Sequence, residues 1–515
     1  MPGEAGTIRY ATPAGRWLIA ITVLGSGIAF LEATVVNVAL PAIGEDLGAD
    51  VAGLQWTING YLLTLAALIL IGGSLGDRYG RRRVFMIGVV WFTGASALCS
   101  LAPNIEVLIA ARVFQGIGGA LLTPGSLAII ESGFHHEDRA RAIGAWSALG
   151  GVAAAVGPLL GGWLIDAVDW RAIFLINLPL GAFVFWAAPR HVPESRDDSV
   201  TGRLDVRGSA LAALTLGALT FALIQASEAG GMSAGVLVAL AVGIVSAIAF
   251  IAAERSAEQP MLPLEIFRSR QFSAANAVTF VVYAALGGVF FLLVITLQVV
   301  LGYSAIASGA AAIPVTFIML GLSARAGALA QRIGPRLPLT VGPMLIAAGM
   351  LMMSMIGAGD TYVSAVLPGV IVYGLGLALV VAPITATVLA AADMRHAGVA
   401  SGVNNAVART AQLAAVAALP LIVGLSGTDF QDPVALEDGF HMAMIVTAAL
   451  AIAGGLLAFA FISNDVLDVC TEPDGHNSEH LDKDYQCGVE GPPLRPPREQ
   501  LERVTLPEPA GTSSQ

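Results

Sequence analysis

Arginine and apolar sequence alternate along this chain with a regularity that leaves few folds open. Of 22 arginines before the C-terminal tail, 19 lie at the N-terminus or in every second gap between long apolar stretches. Arg171 lies in an intervening gap, and Arg112 and Arg409 lie inside apolar stretches. Cytoplasmic loops of membrane proteins carry the excess of Lys and Arg, so one pattern marks both the crossings and their direction. A crossing needs roughly 20 apolar residues. Residues 17–40, 54–76, 84–102, 106–130, 142–165, 170–189, 208–227, 233–253, 272–298, 305–326, 338–357, 362–390, 398–424 and 440–462 supply fourteen. Their ends are set to within about four residues. Both termini are expected on the cytoplasmic side. The first stretch is too long for a signal-peptide core and runs into no cleavage site, so it is expected to be retained.

Composition excludes a soluble globular protein: mean hydropathy is +0.77, and only 12% of residues are charged. The net charge of −11 is uneven, because residues 463–515 hold 11 acidic and 4 basic side chains. That segment also has seven prolines and no apolar periodicity, as expected of a disordered cytoplasmic tail. Cys99 lies within the third stretch, and Cys470 and Cys487 in the tail, which is no disulfide framework. The single lysine, Lys483, is also in the tail, so no membrane lysine can carry a proton. Abundant Ala, Gly and Arg beside one Lys suggest a GC-rich bacterial genome.

The chain repeats itself. Gly73-Ser-Leu75-Gly-Asp77-Arg78-Tyr-Gly80-Arg81-Arg82-Arg83 is answered 254 residues later by Gly327-Ala-Leu329-Ala-Gln331-Arg332-Ile-Gly334-Pro335-Arg336. Gly116-Ile-Gly118 is answered by Gly374-Leu-Gly376, and Gly144 by Gly402, both at an offset of 258. Two homologous six-span halves with two spans inserted between them account for offset and count together. The expected divisions are an N-terminus at 1–16, halves at 17–189 and 272–462, a two-span insert at 190–271, and the tail at 463–515. Parallel halves of this kind place a cavity at their interface near the bilayer midplane, with alternating access by rocking.

These residues resemble a known family. Gly73-x-Leu75-x-Asp77-Arg78-x-Gly80-Arg81-Arg82 looks like the loop 2–3 signature of the major facilitator superfamily. Leu31-Glu32-Ala33-Thr34-Val35-Val36-Asn37-Val38-Ala39-Leu40-Pro41 is similar to the first-span signature of its fourteen-span drug:proton antiporters, which most often carry Asp where Glu32 stands. Arg112-x-x-Gln115-Gly116-x-Gly118-Gly119-Ala120 resembles the fourth-span signature. Gly150 through Gly157-Pro158-x-x-Gly161-Gly162 looks like the fifth-span antiporter motif, followed by Trp170-Arg171-x-x-Phe174-x-Ile176-Asn177-x-Pro179-x-Gly181. The resemblance runs from about residue 16 to 462 and implies an all-α integral membrane protein of the major facilitator fold.

Glu32 is the leading functional candidate. A carboxylate within hydrocarbon is costly and marks ion or proton pathways. Burial favours its neutral form and a nearby cation its ionised form, which is the competition a proton carrier needs. Arg112 lies at comparable depth and stays charged, so it needs a carboxylate, carbonyls or water. The resemblance implies proton coupling for Arg112, against a static clamp between spans. It also implies a conformational latch for Gly73, Asp77, Arg78, Gly80, Arg81 and Arg82, against simple topology and loop structure. For Gly150, Gly157, Pro158, Gly161 and Gly162 it implies antiport, where close helix packing is the plainer explanation. Asn37, Gln55, Asn59, Gln298, Asn405 and Arg409 are weaker cavity candidates, with Trp56, Tyr61, Asn276, Tyr283 and Asn404 behind them.

His135-His136-Glu137-Asp138 lacks partner ligands at metal spacing, so no metal is expected. No phosphate-binding Gly-x-x-x-x-Gly-Lys-[Ser/Thr] motif appears, so neither ATP hydrolysis nor any cofactor is expected. The expected protein is a monomeric, multi-pass exporter of the bacterial cytoplasmic membrane. Its partners would be protons, lipid and small lipophilic drugs, cationic ones among them, with no nucleic acid. The rivals are a dedicated exporter of one natural product, amino acid or lipid, uptake by symport, and a polytopic membrane enzyme.

Overall fold

The computed structural model describes residues 8–196, 205–229, 231–257, 260, 262–392 and 397–470. Fourteen helices among them are long and apolar enough to cross a membrane. Spans one to seven are Pro13–Leu47, Val51–Tyr79, Arg81–Ser100, Ile105–Gly133, His136–Ala167, Ala172–His191 and Val206–Glu228. Spans eight to fourteen are Ala234–Ser256, Arg270–Val299, Ala305–Ile333, Arg336–Met353, Tyr362–Ala390, Val399–Val423 and Pro433–Phe461. Every apolar stretch read from the sequence is one of these helices. Four overrun their expected ends: span one continues to Leu47, span five begins at His136, span ten runs on to Ile333, and span fourteen begins at Pro433. Hydropathy measures the hydrocarbon-crossing part, whereas helix ends are set by caps. Span one runs from a Thr12 cap, which accepts from Gly15 N, to Gly48 at φ +62°. Its 35 residues make about 52 Å of helix, well beyond the apolar slab.

Packing follows the internal repeat. Span one lies on spans five and six, and spans two and three on span four. Eight spans later, nine lies on thirteen and fourteen, and ten and eleven lie on twelve. Spans seven and eight pack together, and seven also touches spans two and thirteen, one in each half. The chain is thus two six-helix halves plus an inserted pair. The repeat extends to the backbone: Gly80 and Gly334, 254 residues apart, hold φ of +106° and +85° at the entries to spans three and eleven. A side chain at either would be strained.

The 2–3 and 10–11 turns and their counterparts form an arginine-rich end. Hydrogen bonds between the halves cluster at the opposite, arginine-poor end. Gln55 Nε2 donates to the Val416 and Ala417 carbonyls at 2.7 and 3.1 Å, and Gln298 Nε2 to the Val38 carbonyl at 2.9 Å. Val51 N donates to the Gly427 carbonyl at 2.7 Å. Asp166 accepts from the amides of Ala305 and Ile306 at 3.2 and 2.9 Å. Beside it spans five and ten cross with backbones in contact, since a Cβ on Gly309 would collide with the Pro158 carbonyl. Gly309→Val should therefore prise this end open at a cost of about 1–3 kcal/mol, seen as a lowered melting temperature of the purified protein. An unchanged melting temperature would mean that the two helices can part freely. Arg171, the arginine out of pattern, sits at this end with its charge compensated: it pairs with Asp46 at 2.8 Å and Asp169 at 3.5 Å.

The ordered chain also outlasts span fourteen. Asn464–Cys470 forms 3-10 turns against spans ten and twelve, so the tail expected from 463 begins as folded structure. Asn464 explains why: its Oδ1 accepts from Arg336 N at 3.3 Å, capping span eleven. The remainder of the tail, with Lys483 and Cys487, lies outside the described residues.

Candidate functional site

The two charges buried within apolar spans find each other. Arg112 Nη1 donates to Glu32 Oε1 at 2.7 Å, with side-chain exposures of 2% and 0%. Both lie where water cannot reach, so each charge depends on buried partners. Three further spans complete the cage. Arg112 Nε donates to the Thr57 carbonyl of span two at 2.9 Å, and the guanidinium lies 4.5 Å from the Tyr61 ring centroid. Nη1 also donates to Gln115 Oε1, one turn along span four. Gln115 Nε2 donates to Ser96 Oγ of span three at 2.8 Å. Asn177 Nδ2 of span six donates to Glu32 Oε2 at 2.8 Å and to Ser96 Oγ at 3.1 Å. The carboxylate is thus held at both oxygens, and the network ties spans one, two, three, four and six together. One acceptor is left over: Asn177 Oδ1 is buried without a hydrogen-bond partner.

Glu32 lies near the middle of its helix, since span one ends fifteen residues later at Leu47. It faces the interior of the first half and is closed off from the interface between halves. Span five holds it there. Gly150, Gly157 and Gly161 abut Phe30, Thr34 and Val35, the residues flanking Glu32, and larger residues would collide with them. Gly162 abuts the backbone of Ala305 and Ile306 across the interface. The small residues of this motif therefore set close helix approach on two sides.

The cavity candidates divide. Gln55 and Gln298 bridge the two halves at the arginine-poor end. Asn59 is fully buried, with no hydrogen-bond partner for either amide atom, and Asn37 donates to its own helix at the Ala33 carbonyl. Asn405 is exposed and Arg409 half-buried on span thirteen. Asn404 donates to Asn276 Oδ1 and Thr279 Oγ1 at 3.3 and 2.9 Å inside the second half.

At the arginine-rich end Asp77 pairs with Arg81 at 2.8 Å. The cap of span three is supplied by the linker after span six rather than by Asp77. Glu194 Oε1 accepts from Arg82 N at 3.0 Å, and the Ser195 carbonyl from Arg81 N at 2.8 Å. Glu194 also pairs with the Arg82 side chain at 3.5 Å. Gly73 packs against Pro124 of span four, and Gly80 turns the chain between spans two and three. Ligand atoms of His135, His136 and Glu137 come within 4.8 Å of one another, but the Glu137 carboxylate is engaged by Arg9.

Ser96, Gln115 and Asn177 complete the Glu32 cage without having been singled out. Gln115 and Asn177 stand inside motifs already noted, whereas Ser96 carries no signal in the sequence. A small hydroxyl in a span usually bonds to its own helix, as Thr22 and Thr447 do here.

Comparison with known proteins gives the same architecture. The model of the Major Facilitator Superfamily matches residues 22–418. "Multidrug resistance protein Stp" of Mycobacterium tuberculosis is 37% identical over 386 residues, covering 75% of this chain and 71% of that one. "Probable actinorhodin transporter" of Streptomyces coelicolor is 36% identical over 463 residues, covering 87% and 79%. "Tetracenomycin C resistance and export protein" of Streptomyces glaucescens is 35% identical over 389 residues, covering 75% and 72%. Among solved structures, a POT family transporter in complex with 5-aminolevulinic acid superimposes with a TM-score of 0.65 at 13% identity, covering 89% of this chain and 98% of that one. A bacterial homologue of the human lysosomal transporter Spinster, inward-facing and unoccupied, gives 0.61 at 16% identity, covering 87% and 97%. By motif, fold and family match, this chain is a member of the Major Facilitator Superfamily.

Proposed function

We propose that the chain is a proton-coupled exporter of small amphipathic compounds, with its arginine-rich end in the cytoplasm. The observation that carries this reading is the Glu32–Arg112 pair, a titratable carboxylate sealed in mid-span and tied to four other helices. A purely structural span has no need of so costly a pair. The clustering of clasps at the arginine-poor end supports an inward-facing state, open to cytoplasmic substrate. The relatives named for drug resistance and antibiotic export support the outward direction.

Ionised, Glu32 accepts from Arg112 and Asn177. Protonated, it becomes a donor and needs an acceptor, and Asn177 Oδ1 is the unused one beside it. Loss of the Arg112 contact then loosens span one from span four, and the halves rock. Because Glu32 is enclosed, the proton and the substrate compete through helix position rather than by contact. About 100 mV supplies roughly 2.3 kcal/mol per charge. One pH unit adds about 1.4 kcal/mol per proton. One proton and one net charge per cycle would sustain a gradient of between about two and three decades.

The test is transport by the full chain in proteoliposomes. Imposing an inward proton gradient should drive uphill substrate movement and proton counterflow, both collapsed by a protonophore. Substrate movement indifferent to protonophore would overturn proton coupling. A dedicated natural-product exporter is the second reading, favoured by relatives named for single antibiotics. Mutual competition among unrelated compounds would exclude it.

A further inference from the structure

We propose that Arg409 is the charge-selecting residue of the substrate cavity, so that the exported compounds are anionic, carrying a carboxylate, phenolate or sulfonate. This deepens the exporter reading and rests on it. Arg409 stands in the middle third of span thirteen, which packs on span two of the first half and span nine of the second. It is half-buried and lies within electrostatic reach of Tyr61 and Tyr283, from those two spans. Its side chain therefore faces the seam between the halves. Among the described residues its hydrogen bond goes to Gln412 Oε1, at a long 3.3 Å, and it forms no ion pair.

No carboxylate is placed to answer it. Spans nine to thirteen contain no Asp or Glu at all. Glu32 is the one carboxylate in the middle third of any span, and it is enclosed and committed to Arg112 and Asn177. Asn405, exposed one turn before Arg409 on the same face, adds a neutral hydrogen-bonding group. The fixed charge at the seam is thus positive. A cationic compound would meet an uncompensated guanidinium there, whereas an anion would supply its missing partner. Guanidinium and carboxylate match geometrically, and the bond is strong because both ends are charged. The expectation that cationic drugs are among the substrates is reversed by this placement.

The experiment uses the purified full chain and two xanthene dyes of similar size, anionic fluorescein and a cationic rhodamine ester. Binding is read by fluorescence anisotropy and transport in proteoliposomes. Wild type should bind and move fluorescein in preference to the rhodamine. Arg409→Gln should weaken fluorescein binding about tenfold or more, and Arg409→Lys should restore part of it. Arg409→Glu should invert the preference, a gain that a misfolded protein cannot show. Equal binding of both dyes by wild type, no fluorescein binding, or an unchanged preference in the Gln and Glu variants would overturn the inference. If wild type binds the anion selectively but moves neither dye uphill, the exporter reading fails while the charge selection stands.

Discussion

Glu32→Gln is expected to abolish uphill efflux while leaving a folded protein that still binds substrate. Glutamine keeps the volume and offers a carbonyl oxygen to Arg112, so the cage across spans one, two, three, four and six can persist. It cannot take up or release a proton. Arg112 would keep the Thr57 carbonyl, Gln115 and the Tyr61 face, so its charge is not stranded. Coupling should vanish even so: concentrative export should fall by about the two to three decades that one proton can sustain. Downhill exchange of substrate should survive, because the neutral amide, like the protonated acid, holds Arg112 without a charge and leaves span one free to move against span four. The measurement is accumulation and counterflow side by side, with expression matched. A Gln variant that still concentrates substrate would move the proton pathway elsewhere.

The second large effect concerns stability. Arg112→Met removes the cation and leaves the Glu32 carboxylate buried with Asn177 as its remaining donor. Breaking a buried pair in this way costs about 3–5 kcal/mol. Replacing both partners by apolar residues of similar size is often neutral or better. The double variant Glu32→Met/Arg112→Met should therefore melt well above the single Arg112→Met and close to wild type, although both are inactive. That pattern would show the pair to be retained for transport rather than for holding the helices together. A double variant no more stable than the single would instead mark the pair as structural.

The fourteen crossings were legible because hydrophobic length and arginine placement are one-dimensional signals. Glu32 and Arg112 were legible for a related reason: a charge inside an apolar stretch stands out whatever the fold. Their partners did not. Asn177 and Ser96 are small polar residues of a kind that spans tolerate freely, and only three-dimensional proximity makes them a cage. That Gln55 and Gln298 bond across the halves was not legible, because sequence gives the depth of a residue and not the direction it faces. Arg409 was visible as a charge, yet its significance depends on the carboxylate that is missing across the seam. Hydropathy ends span fourteen where the helix ends, near Phe461, but it carries no sign of the turns beyond, where Asn464 is retained by one backbone hydrogen bond at Arg336 N.

Glu194 and Asn464 stand in equivalent places, each just after the last span of its half, and each reaches back to cap the third helix of that half. A half is therefore sealed by the residues that leave it. If the gene were cut in two for co-expression, a break at 189 would strip span three of its cap, and a stop at 462 would do the same to span eleven. Breaks after Arg196 and Cys470 keep both knots tied. Fusion partners and affinity tags belong beyond those points as well.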